Sequence, residues 1–100
     1  MAFISVDVEA SGPLPGFFDL LSIGAVAVEV ADRAIRIAEG GFYVEIAPLH
    51  GRADPAAMRV NRLDLTRLAR EGVPLPLAAR RFADWTRSVS TDGPPVFVGY

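Results

Sequence analysis

Residues 3–9 constrain the chain most. Ile4, Val6 and Val8 fall on one side of an extended segment, and Phe3, Ser5, Asp7 and Glu9 on the other, the period of two that a β-strand imposes. Asp7 and Glu9 therefore emerge together, with Cα atoms roughly 6.5 Å apart as for any residues two apart on a strand. If the strand is interior, the cost of burying charge calls for a compensating partner such as a cation.

A loop punctuated by Gly12, Pro13, Pro15 and Gly16 follows. The apolar run 20–30 is too β-branched and too interrupted by glycine for a helix, which predicts a second strand. Residues 32–36 are polar and predict a turn, and residues 41–47 predict a third strand ended by Pro48. Three sequential strands with short connections predict an antiparallel meander.

The pattern then becomes helical. Asp54 before Pro55 is a helix start, because a carboxylate caps free amides and proline at the first position gives up a bond it would not make. A second short helix is predicted from Asp64 as cap to Gly72 as stop. Over residues 76–89, Ala78, Phe82, Trp85 and Val89 form one stripe at spacings of four, three and four, so Trp85 is expected in the core. Residues 91–95 predict a turn into a fourth strand, Val96 to Tyr100. A crossover would lay that strand parallel to the first, making the first strand central in an α/β domain that takes in residues 1–100.

Composition narrows the chemistry. Cysteine is absent, which excludes disulfides, thiolate metal sites and cysteine nucleophiles. Any metal must then be held by oxygen ligands or by His50, the single histidine, which is read as a solvated loop residue. Residues 1–50 hold two Arg and seven acids, residues 51–100 eight Arg and five acids, a gradient from −5 to +3. The arginines are interleaved with acids, as on solvated helix faces. No apolar run approaches the roughly 20 residues of a membrane span, and the first residues lack the flank of a signal peptide, so a soluble cytoplasmic protein is expected.

Closely spaced carboxylates suit hard cations such as Mg²⁺ or Mn²⁺. A pair of such ions about 4 Å apart can clamp the attacking and leaving oxygens of a phosphoryl displacement. Asp7-Val8-Glu9-Ala10-Ser11-Gly12 ends the first strand and precedes a loop and a strand containing Ile23-Gly24-Ala25-Val26. With the strand from Tyr43 to Pro48 and the segment Asp54-Pro55-Ala56-Ala57-Met58-Arg59-Val60-Asn61, this resembles the DEDD group of 3′→5′ exonucleases, which includes polymerase proofreading subunits, oligoribonuclease and ribonuclease T.

The resemblance implies a ribonuclease H-like fold, a two-metal mechanism using Mg²⁺ or Mn²⁺, and release of nucleoside monophosphates from single-stranded DNA or RNA 3′ ends. Asp7 and Glu9 would be catalytic metal ligands. Ala10, Ser11 and Gly12 would meet the terminal nucleotide, and Leu14 or Phe17 would wedge against its base. Ala10 stands where many relatives have Thr, removing a hydroxyl. The family's later motifs, Asn-x-x-Phe-Asp and His-x-x-x-x-Asp, are not in the sequence. The chain is accordingly expected to be the N-terminal part of one exonuclease domain, inactive by itself and prone to self-association through an unpaired fourth-strand edge. A non-catalytic nucleic-acid-binding module and an interaction domain are the alternatives.

Overall fold

The alternation of residues 3–9 is realised as an interior strand. A computed structural model describes residues 2–91 and 93–99. In it, β1 (Ala2–Ala10) pairs antiparallel with β2 (Leu20–Ala31), Val6 opposite Ala25 and Asp7 opposite Gly24. On its other side β1 pairs parallel with the last strand, β5 (Val96–Gly99), Phe3 opposite Val96 and Ser5 opposite Val98. The predicted strand end at Tyr100 and part of the turn over residues 91–95, Asp92, lie outside the described residues.

The third line of the meander is in two pieces, which corrects the reading of residues 32–36 as a turn. Only Asp32 and Arg33 turn the chain, both with positive φ (50° and 65°) as a tight hairpin demands. The chain then runs back along β2 as β3 (Ala34–Ile37), Ile37 opposite Val28. After an interruption at residues 38–41 it pairs with β2 again as β4 (Phe42–Glu45), Phe42 opposite Ala25. Gly41 is needed there, since a Cβ would sit 2.8 Å from the Ala25 carbonyl oxygen. The sheet order is β3-β2-β1-β5, with β4 beside β2.

The helices follow their caps. In α1 (Pro55–Asn61) the Asp54 carboxylate accepts from the Ala56 amide. In α2 (Leu65–Glu71) Asp64 accepts from Thr66 at 2.9 Å and Arg67 at 3.4 Å, and Gly72 ends the helix. The long helix α3 (Leu75–Val89) covers one face of the sheet. Ala78 packs there with Ile23, Val44 and Ile46, and Phe82, Phe42, Val6 and Leu75 close around them. Ile4, Leu21, Ile46 and Leu68 are fully buried.

Trp85 departs from its expected place in the core. It is half-buried, stacks on Phe82, packs tilted against Phe42, and directs its indole N–H toward the Gly40 carbonyl at 3.4 Å. On the opposite face of the sheet Val30, Ile35, Ile37 and Val98 stand exposed. Among the described residues, no helix is long and apolar enough to cross a membrane.

Candidate functional site

Asp7 and Glu9 lie on the sheet face turned away from α3, because the apolar alternates of β1 are committed to the core side. Asp7 is exposed and Glu9 half-buried. Gly24, opposite Asp7, adds no side chain, which leaves a groove of about 490 Å³ lined by Ser5, Asp7, Gly24, Val26 and Tyr43. The strand register shifts between Glu9 and Ala10, and such an irregularity re-aims the side chains beside it. Glu9 opens on another groove, about 410 Å³, with Asp54, Ala57, Val60 and Asn61.

Among the described residues neither carboxylate has a salt-bridge partner. No third acid or histidine gathers with them into a metal-binding cluster among those residues. The pair is a hard-oxygen donor set that fits Mg²⁺ or Mn²⁺ in kind but supplies only part of a coordination shell.

Beyond Glu9 the chain is pinned. Ser11 is fully buried, its hydroxyl donating to the Arg52 carbonyl at 2.6 Å and accepting from the Asp19 amide at 2.8 Å. Its own N–H donates to the Asp19 carbonyl and its C=O accepts from the Asp54 amide. The buried Asp19 carboxylate accepts from the backbone amides of His50 and Gly51. At the far end of α1, the Asn61 side-chain amide donates to the Ala10 carbonyl at 3.1 Å. Both ends of α1 are thus tied to residues 10 and 11, immediately after the acidic pair.

The other sequence-predicted residues fall around this knot. Ala10 and Gly12 line the Glu9 groove and also a more enclosed apolar one of about 440 Å³ with Leu14, Phe18, Leu49 and His50. Gly12 is a point of close packing, since a Cβ there would lie 2.4 Å from the Phe18 ring. Leu14 is 60% exposed and Phe17 49% exposed, whereas Phe18 is half-buried and meets Phe17 edge to face. His50 is on an exposed loop, as its sequence context indicates.

Asp19, Arg52 and Asn61 were not singled out by sequence reasoning. Their partners are 31 to 51 residues away, and no local period or spacing marks such a contact. Farther along the sheet, Glu45 receives two hydrogen bonds from the Arg67 guanidinium at 3.0 Å, which hold its carboxyl below the usual glutamate range.

The fold matches part of the ribonuclease H-like fold of solved exonucleases. Escherichia coli exonuclease I, solved in complex with a dT13 oligonucleotide, superimposes with a TM-score of 0.78 at 15% identity over 99% of this chain and 20% of that one. Cell-death related nuclease 4 gives 0.77 at 13% identity over 98% of this chain and 34% of its own. No protein-family model matches the chain.

The sequence itself is 40% identical over 100 residues to the 3′-5′ DNA exonuclease Cap18 of Escherichia coli, a match over 98% of this chain and 49% of that protein. The chain is thus similar to 3′→5′ exonucleases in sequence and in fold. It spans about half the length of this curated relative.

Proposed function

We propose that residues 1–100 form the N-terminal part of a single 3′→5′ exonuclease domain that removes nucleoside monophosphates from single-stranded 3′ ends in the cytoplasm. The observation that carries this reading is the pair Asp7 and Glu9, without a salt-bridge partner among the described residues, on one face of the interior strand β1. Asp7 and Glu9 would hold Mg²⁺ or Mn²⁺, and the bound ions supply neutralisation of charge on the oxygens of the phosphoryl displacement. Ala10, Ser11 and Gly12 would shape the wall beside the terminal nucleotide, Ser11 through the bonds that fix its backbone. The exposed Leu14 and Phe17 would pack on its base, since a base gains affinity by stacking on an aromatic ring.

With two carboxylates where the family uses four, water and a second cation would be poorly positioned, so hydrolysis by this chain alone should be slight. The test is Mn²⁺ binding followed by water-proton relaxation. Wild type should bind, and Asp7→Ala and Glu9→Gln should each weaken binding at least tenfold. Equal Mn²⁺ affinity in wild type and Asp7→Ala would remove the metal-site reading.

That no group of three acids or histidines able to hold a metal gathers among the described residues favours a second reading, a binding module without hydrolysis. That module would show salt-sensitive affinity for single strands and no shortening of a labelled oligonucleotide. Under either reading, the edge of β5 is a surface for self-association.

A further inference from the structure

Arg52 has an unusual setting for a surface arginine. Its guanidinium lies over the ring of Phe17, 4.5 Å from the centroid, and donates one hydrogen bond to the Phe17 carbonyl at 3.1 Å. A guanidinium carries five N–H donors in a planar fork, so this bond leaves donors in hand on an exposed residue. Among the described residues, no carboxylate pairs with it. Its backbone is anything but loose: the carbonyl accepts from the buried Ser11 hydroxyl, and the preceding two amides donate to Asp19.

The position matters as much as the geometry. His50 lines the apolar groove, Asp54 lines the groove that holds Glu9, and Arg52 lies between them in the chain. The first fifty residues carry a net charge of −5, and Asp7 and Glu9 have no salt-bridge partner among the described residues, which repels a polyanion. A cation whose backbone is bonded to Ser11, between Ala10 and Gly12 that line both grooves, offsets that repulsion where a strand would pass. A flat guanidinium on an exposed aromatic ring also gives a base or a phosphate a surface already ordered before binding.

We propose that Arg52, stacked on Phe17 and anchored through Ser11 and Asp19, is a phosphate-contacting residue for single-stranded nucleic acid leading to the Asp7 and Glu9 site. The inference rests on the single-strand reading above and adds to it a residue that makes an ionic contact. It differs from a bracing role, in which Arg52 only holds the loop of Phe17, because an ionic contact releases counterions and a brace does not.

The experiment is fluorescence anisotropy of a labelled single-stranded oligonucleotide with the 100-residue chain, at several salt concentrations, with EDTA present to prevent cleavage. Arg52→Gln should weaken binding several-fold at low salt and reduce the slope of log K against log salt by about 0.7, the value of one phosphate contact to a single strand. Phe17→Leu, which removes the stack and keeps the charge, should lower affinity with the slope preserved. Thermal midpoints of both variants identify any loss of folding, and a variant that melts early is replaced by Arg52→Lys, which should keep the slope. If wild type binds and Arg52→Gln leaves the slope unchanged, the inference on Arg52 falls and the single-strand reading stands. If wild type binds no strand at all, both fall together.

Discussion

Asp19 serves two backbone amides, those of His50 and Gly51, and its own N–H meets the Ser11 hydroxyl. Removing the carboxylate strands those donors in a part of the protein that Asp19 itself reaches while 4% exposed. Asp19→Ala should therefore cost about 1.5–3 kcal/mol, the scale of hydrogen bonds to a charged group, read from denaturant midpoints. Asp19→Asn, which keeps one acceptor, should cost less. A loss below about 0.5 kcal/mol for Asp19→Ala, the scale of a neutral surface change, would mean that the knot does not hold the loop. The acidic pair was legible in the sequence because strand alternation is a local property that places Asp7 and Glu9 on one face. The knot was not, because Ser11 meets Arg52 across 41 residues and neither carries a local signature of the other.

At the scale of elements, the helices were readable for the same local reason. Asp54, Asp64 and Gly72 each act within a turn of their own position, and each appears where its chemistry requires. The turn after β2 was expected, but β3 was missed because Asp32 and Arg33 make the whole turn, reaching positive φ without the Asn-Gly or Asp-Gly signal that usually announces a two-residue hairpin. Docking of α2 on the sheet rests on contacts between elements, among them Arg67 with Glu45 on β4, and on the backbone exchange of Val73 with Glu45 and Ala47. The hydrogen bonds from Arg67 lower the Glu45 pKa from its ordinary 4.5. A group depressed on folding contributes stability that is present above its unfolded pKa and lost as pH falls through the folded value. Thermal midpoints should therefore drop on acidification more in wild type than in Glu45→Gln, with the two curves converging at the acid end. Parallel curves across that range would show that the pair contributes no pH-dependent stability.

For the whole molecule, the decisive feature is what the helices leave bare around β3 and β5. The core lies between α3 and one sheet face, while the other face exposes Val30, Ile35, Ile37, Val96 and Val98, with a groove of about 260 Å³ among Phe3, Val28, Val30, Ile35 and Val98. The Cα radius of gyration is 15.0 Å, above the about 13 Å usual for a hundred residues, as the 46 × 25 × 22 Å extents reflect. At one end of the sheet, β5 pairs among the described residues with β1 alone and offers its other side as an open row of amides and carbonyls. An apolar face continuous with an open edge is a template for a second copy, because edge pairing extends the sheet and apolar contact adds to it. Light scattering should thus find a mass that rises with concentration. Val98→Lys places a charge on both features at once, on the open strand and on the bare face opposite Ser5, and should return the protein to a monomer. Since Val98 is 47% exposed, its replacement removes little burial, so the thermal midpoint at low concentration should hardly move. A wild-type monomer at every concentration would show that the edge and face do not associate. Association that persists unchanged in Val98→Lys would place the contact elsewhere, with the β2–β3 hairpin, where Ile35 is 75% exposed, as the next surface to substitute.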